Sequence, residues 1–174
     1  TNHRIDFIPG QKPVHCQPYR AGPTARAVES AEIERMLKAE VIEPATSEWA
    51  SPIVLVAKPD GSTRFCVDYR RLNAITVRDS YPLPRMDECI DSLGDAKIFT
   101  TLDCNSGYWQ IPVLPEDREK TTFTSHEGLY WFRRMPFGLR NAPATFQRFV
   151  DITLSGLTWN TCLVYLDDII VFSK

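Results

Sequence analysis

Acidic side chains set among apolar, β-forming neighbours are the residues of this 174-residue chain best placed to do chemistry. The segment Tyr165-Leu-Asp-Asp-Ile-Ile-Val-Phe puts Asp167 and Asp168 side by side, with strand-forming runs before and after them. That pattern predicts two buried strands joined by a tight turn, with the acids at its tip. Adjacent carboxylates repel each other and are costly to desolvate, so something positive should hold them there. Hard divalent cations such as Mg²⁺ prefer carboxylate oxygen and keep open positions for substrate phosphates. Asp103 closes another β-like run, Ile98-Phe-Thr-Thr-Leu. If that strand lies beside the hairpin, three carboxylates meet at one sheet edge. They could then hold two metal ions about 3.5–4 Å apart, the arrangement that aligns an in-line phosphoryl displacement. Taken alone, Asp167-Asp168 also reads as a water-exposed hairpin turn, and the pair does not decide between the two.

The charge pattern fits a site that meets phosphates and metal together. Formal net charge is −2, so no global basic footprint for nucleic acid exists. Yet Lys58 to Arg85 holds six basic and three acidic residues, and Met86 to Asn105 holds five acids and one lysine. A cationic strip beside an anionic pocket suits such a site, and an ordinary solvated surface would look the same. The five cysteines are scattered and never form C-x-x-C, which predicts reduced thiols rather than disulfides or zinc. Apolar stretches are strand-sized and broken by charge, so no membrane span and no membrane partner are expected. The beginning, Thr1-Asn-His-Arg, has no signal pattern.

The elements that must position these residues can be read from periodicity. Residues 1–24 contain four prolines and predict an extended arm. The spacing of Val28, Ala31, Ile33, Met36, Leu37 and Val41 predicts a helix over 27–42. A hairpin follows, Ile53 to Lys58 and Thr63 to Asp68, turning at Pro59-Asp-Gly-Ser. A short helix is expected over 86–93, then the strand ending at Asp103. A second hairpin is expected over 121–125 and 129–134, around His126-Glu-Gly. Pro143 suits the first turn of a helix running to about Leu157, its inward face being Phe146, Phe149, Val150, Ile152, Thr153 and Leu157.

Three long motifs in order resemble the palm motifs of reverse transcriptases. They are Phe99-Thr-Thr-Leu-Asp-Cys-Asn-Ser-Gly-Tyr-Trp-Gln-Ile, Met135-Pro-Phe-Gly-Leu-Arg-Asn-Ala-Pro-Ala-Thr-Phe-Gln and Tyr165-Leu-Asp-Asp. Upstream, Ser47-Glu-Trp-Ala-Ser-Pro-Ile-Val-Leu-Val and Arg64-Phe-Cys-Val-Asp-Tyr-Arg-Arg-Leu-Asn resemble the fingers of the same enzymes. The resemblance runs from about residue 5 to the last residue and is greatest to the gypsy-type (Metaviridae) LTR retrotransposons.

The resemblance implies an α+β fold of right-hand polymerase type, with an antiparallel palm sheet and packed helices. It implies an arm over 1–24, mainly fingers over 25–97 and 116–140, and palm over 98–115 and 141–174. It implies RNA- and DNA-directed DNA synthesis on a primed RNA or DNA template from dNTPs. Asp103, Asp167 and Asp168 become ligands of two Mg²⁺ ions, with Mn²⁺ as a substitute. Lys58 and Arg64 match positions that grip the incoming triphosphate, as a point charge and a forked guanidinium can. Tyr108 matches the aromatic position that excludes a 2′-hydroxyl by a clash. Phe137 stands where retroviral members carry Gln, so a polar contact near the nucleotide 3′-hydroxyl does not transfer. Gly138 allows close approach of backbone to nucleotide. Arg140, Gln147, Tyr165 and Leu166 are candidate template or primer contacts.

By the same resemblance the parent is a Pol polyprotein working in the cytoplasm, within a virus-like particle, and is not secreted. The thumb, connection and RNase H that follow in such polyproteins do not follow Lys174 in this sequence. The expectation is a chain that folds but polymerises weakly or not at all alone. Oligomeric state stays open. Two other readings remain: a different palm polymerase that copies RNA, and a catalytically silent descendant that binds nucleic acid or protein.

Overall fold

The computed structural model describes residues 1–104 and 106–173; Asn105 of the first palm-like motif and Lys174 lie outside the described residues. The chain divides into two compact units, each made from separated segments. The first comprises 2–78 and 108–142, and the second 79–107 and 143–173 together with Thr1. The segment 79–97 falls in the same compact unit as the strand that follows it.

In the first unit, helix α1 (Pro23–Lys38) precedes strand β1 (Ile42–Pro44). Strands β2 (Ser51–Ala57) and β3 (Thr63–Val67) form the expected hairpin, and a short helix α2 (Arg70–Ile75) follows. The unit's second hairpin is β5 (Phe123–Thr124) with β6 (Leu129–Phe132). The five strands run in the order β1-β6-β5-β2-β3, antiparallel except where β2 meets β5. Ile33 and Met36 of α1 pack with Val41, Ile42, Ile53, Phe123 and Phe132 into the core. Burying such side chains stabilises by roughly 1.5–3 kcal/mol each.

The expected helix over 27–42 is shifted. Pro23 starts it early, because its missing N–H would be unbonded in the first turn anyway. The helix ends at Lys38 because Glu40 takes a left-handed φ of 54°. Val41 then leads into the sheet, which Ile42 enters, both β-branched and almost fully buried. The arm before α1 is pinned by isolated bridges, His3 to Val113, Phe7 to Thr76 and His15 to Ala50.

The second unit is a three-stranded antiparallel sheet with two helices. Helix α3 (Met86–Ser92) leads to β4 (Ile98–Asp103), and α4 (Ala142–Thr153) leads to β7 (Cys162–Tyr165) and β8 (Asp168–Ser173). Strand order is β4-β8-β7. Phe146 and Val150 of α4 and Cys162, Leu163 and Val164 of β7 are buried. The expected inward face of α4 is only partly correct, since Ile152, Thr153 and Leu157 are exposed. Ile152 lies six positions after Phe146, about 240° around the helix. Leu157 lies beyond the helix end, past Gly156 with its φ of 85°. The expectation of two buried strands also needs correction. β7 is buried, whereas β8 is half exposed and β4 is exposed along its length.

The five cysteines are free. Among the described residues no helix is long and apolar enough to cross a membrane.

Candidate active site

Strand pairing decides where the three acids go. β4 and β8 run antiparallel from Ile98 opposite Ser173 to Asp103 opposite Asp168. On the other side of β8, Tyr165 of β7 also pairs with Asp168. Leu166 and Asp167 are therefore the two residues of a hairpin turn, and Asp168 opens the returning strand. Leu166 takes a φ of 54°, the left-handed sense that primed two-residue hairpin turns need at their first position. Asp167 is tied to the neighbouring strand end, since its carbonyl accepts the Cys104 N–H at 3.2 Å. The acids thus gather at one end of this sheet.

Asp167 is the most constrained of the three. Its Oδ1 is buried and has no hydrogen-bond partner among the described residues. Gly107 makes room for it, because a Cβ there would lie 2.9 Å from that oxygen, 3.1 Å from Phe146 Cζ and 3.2 Å from Cys104 Cβ. Burial first, and then the charges of Asp103 and Asp168, push the Asp167 carboxyl above its ordinary value. The Cys104 thiol is also raised, by burial and then by Asp167, Asp103 and Asp168. A buried, unpartnered carboxylate oxygen under mutual repulsion is what a hard cation would relieve. Among the described residues, however, no three Asp, Glu, His or Cys side chains are posed as a ready-made metal cage. Position and electrostatics fit a cation; the side chains are not arranged as a coordination sphere.

The remaining sequence-predicted residues of the sheet unit are Tyr165 and Gln147. Tyr165 is half-buried beside the turn. Gln147 points inward, 1% exposed, and its Oε1 accepts the Leu166 N–H at 3.3 Å.

In the first unit, Lys58 and Arg64 lie on the β2–β3 hairpin and are exposed. Asp60 shapes its turn by accepting from the Ser62 N–H at 2.8 Å and hydroxyl at 2.6 Å, and Gly61 supplies a φ of 81°. Neither Lys58 nor Arg64 is held in a salt bridge among the described residues. Tyr108 is buried and stacks on Phe137, with ring centroids 4.8 Å apart at 22°, while Phe137 itself is 52% exposed. Gly138 has a φ of 90°, and a Cβ on it would stand 3.5 Å from the Val67 carbonyl.

Asn73 and Arg140 hold that loop. Asn73 Nδ2 donates to the Gly138 carbonyl at 2.7 Å, and its Oδ1 accepts the Arg140 N–H at 2.8 Å. The Arg140 guanidinium bonds the carbonyls of Asn73 and Thr76 at 3.1 and 3.2 Å. Asn141 adds a bond to the Val77 carbonyl at 2.7 Å. Sequence reading assigned no role to Asn73 or Gly107. The only available signal was that each sits inside a quoted motif, at the end of Arg-Arg-Leu-Asn and of Asp-Cys-Asn-Ser-Gly.

Comparison with known proteins agrees with the motifs. A family model described as reverse transcriptase (RNA-dependent DNA polymerase) matches residues 56–174. The retrovirus-related Pol polyprotein from transposon opus of Drosophila melanogaster is 43% identical over 169 residues, covering 94% of this chain and 17% of the polyprotein. That from transposon gypsy, also of Drosophila melanogaster, is 42% identical over 164 residues, covering 89% of this chain and 16% of its own length. The enzymatic polyprotein of figwort mosaic virus is 36% identical over 174 residues, covering 98% of this chain and 26% of its own. Among solved structures, a foamy viral protease-reverse transcriptase in complex with double-stranded DNA superimposes with a TM-score of 0.87 at 28% identity, covering 100% of this chain and 30% of that one. One in complex with an RNA/DNA hybrid gives 0.85 at 26% identity, covering 99% of this chain and 23% of that one. The chain spans less than a third of each of these relatives. Its α+β architecture with antiparallel sheets is that of reverse transcriptase fingers and palm. By motif order, family match and fold, this chain belongs to the reverse transcriptase family, alongside the Pol polyproteins of gypsy-type LTR retrotransposons.

Proposed function

We propose that this chain is the polymerase core of a retrotransposon Pol polyprotein, building DNA on primed RNA and DNA templates. The observation that carries the reading is the meeting of Asp103, Asp167 and Asp168 at one sheet end, with a buried Asp167 oxygen that has no donor among the described residues. These three acids would hold two Mg²⁺ ions, or Mn²⁺ in their place. When bound, the ions lower the pKa of a primer 3′-hydroxyl and neutralise the triphosphate and the pyrophosphate that leaves.

The chain's own residues supply positioning and selection. Lys58 and Arg64 are charged, exposed and in no salt bridge among the described residues, and we assign them to the triphosphate oxygens of a dNTP. Tyr108, held by its stack on Phe137, excludes a 2′-hydroxyl by bulk. Gly138, without a Cβ, lets the loop backbone approach the nucleotide. Tyr165 and Leu166 flank the acids, where we place the primer end. The sheet unit with Asp103, Asp167 and Asp168 serves as palm and the unit with Lys58 and Arg64 as fingers. Thumb, connection and RNase H would come from the rest of Pol, and the work would take place in cytoplasmic particles of the parent element.

The test is extension of a DNA primer on an RNA template with Mg²⁺ or Mn²⁺. It is run with this chain and with a longer Pol segment, each beside Asp168→Ala. Extension by the longer segment that disappears in the variant is expected, with weak or no extension by the 174-residue chain. A longer segment that stays silent, or extends equally well with Asp168→Ala, would refute the proposal.

A further inference from the structure

The turn that carries Asp167 is built at an unfavourable place. Leu166 sits at φ 54°, a left-handed conformation in which a side chain crowds the backbone and that glycine usually takes. Something must hold it. The Leu166 N–H is met by Gln147 Oε1 at 3.3 Å, a long bond for an amide. Gln147 Nε2 in turn donates to Asp151 Oδ1 at 3.1 Å, one helical turn further along α4. Asp151 Oδ2 accepts the Tyr81 hydroxyl at 2.7 Å. Tyr81 is itself covered by the Arg148 guanidinium, 4.5 Å from its ring centroid, and Arg148 is anchored to Asp79 at 2.8 Å.

The chemistry fixes the direction of this chain of bonds. A carboxylate only accepts, so the Gln147 NH₂ must face Asp151, which leaves Oε1 for the turn N–H. With 1% of its surface exposed, Gln147 also has no atom free to reach a template or primer. Its polar groups are committed inside the unit, between the helix and the turn.

We propose that Gln147 is a positioning residue for Asp167, holding the left-handed turn through the Leu166 N–H. Tyr81 and Asp151 brace the Gln147 amide. Locking the turn keeps Asp167 Oδ1 in the slot that Gly107 leaves open. The link to metal rests on the reading of Asp103, Asp167 and Asp168 as metal ligands; the link to the turn does not.

The test uses the 174-residue chain with Mn²⁺ as probe, binding followed by electron paramagnetic resonance and amide exchange followed at Leu166. Gln147→Met keeps an unbranched side chain and removes both hydrogen bonds. It should weaken Mn²⁺ binding about tenfold or more, as loss of a ligand's support does, and should speed Leu166 exchange. The double exchange Gln147→Glu with Asp151→Asn reverses the polarity yet matches every donor to an acceptor, and should restore both readouts. Unchanged Leu166 exchange in Gln147→Met would overturn the proposal whether or not metal binds. A folded double variant that binds Mn²⁺ as weakly as Gln147→Met would overturn it too, and that arm decides the matter if Gln147→Met does not fold. Wild-type binding that is absent, or indifferent to Asp167→Asn, would instead count against the metal reading, and the exchange data would then judge the turn alone.

Discussion

Asp103 and Asp168 face each other directly across the β4–β8 ladder, as the last register pair of its antiparallel run. A shift of one residue in either strand would send one of the two acids to the opposite face of the sheet. The convergence of the acids is thus a property of register rather than of any single side chain. Inserting one residue within β4 should abolish Mn²⁺ binding while leaving most secondary structure intact, measurable by spin resonance and circular dichroism. Retained binding would show that the acids meet by another route.

Asp167 makes the metal-free fold sensitive to pH. Its folded-state pKa is raised, so the folded chain binds this proton more tightly than the unfolded chain does. The stabilisation is fully present below the unfolded carboxylate value of about 3.9 and is lost as pH rises through the folded value. Other carboxylates titrate as well, notably Asp68, which the Arg70 hydrogen bond holds down at about 2, so the difference between proteins is the readout. Without divalent cation, Asp167→Asn should melt higher than wild type at neutral pH and the gap should close near pH 4. Added Mg²⁺ should raise the wild type more than the variant. Equal melting at both pH values would contradict this account of Asp167.

Gly107 is needed for the space it leaves rather than for backbone freedom. In Gly107→Ala the new methyl would meet Asp167 Oδ1, Phe146 and Cys104 at or below close contact. Forcing an extra carbon into such a slot costs roughly 1–3 kcal/mol. A lower melting temperature together with weakened Mn²⁺ binding is expected. A variant as stable and as metal-avid as wild type would show that the slot yields freely.

Tyr108 should govern sugar selection in a Pol segment long enough to polymerise. Tyr108→Val removes the ring that stacks on Phe137 and opens space of about its size. Ribonucleotide incorporation relative to deoxyribonucleotide should rise by about tenfold or more, within what steric exclusion supplies. Steady-state insertion kinetics with matched dNTP and rNTP would check it, and an unchanged ratio would sink the assignment.

Lys58→Ala and Arg64→Ala should separate binding from folding. Both side chains are exposed, so melting should move little. Loss of a charge-assisted contact to phosphate should raise the dNTP KM by about 10- to 100-fold each. Variants with normal KM would mark the two charges as ordinary surface.

Much of the architecture was legible because β-branched runs bounded by turn residues have few alternatives. The β2–β3 hairpin, β4 up to Asp103 and the Tyr165–Asp168 turn all follow from such runs. The six-residue helix α2 was not foreseen, being too short for a hydrophobic period to show. The outward turn of Ile152 was missed because an apolar residue near a helix end says little about which side is covered. Gly107 and Asn73 lay in plain sight within motifs, but their work is a matter of space and of loop hydrogen bonds. Neither leaves a trace in residue type. The same holds for Gln147, whose amide could equally have faced nucleic acid until its burial was known.

The two compact units are interleaved along the chain, with 108–142 of the first lying between the segments that form the second. Neither can therefore fold as a stretch of consecutive sequence. Closing β4 against β8 must wait for a long loop to be brought home, and loop closure is an entropic toll that local contacts do not share. Contacts far apart in sequence slow folding, so the acidic end of the sheet should be among the last parts of the chain to mature, after the β2–β3 hairpin. A ribosome making this chain would expose β4, apolar and edge-like, well before its partner strand exists. The interval between the two would be the molecule's most vulnerable moment to self-association.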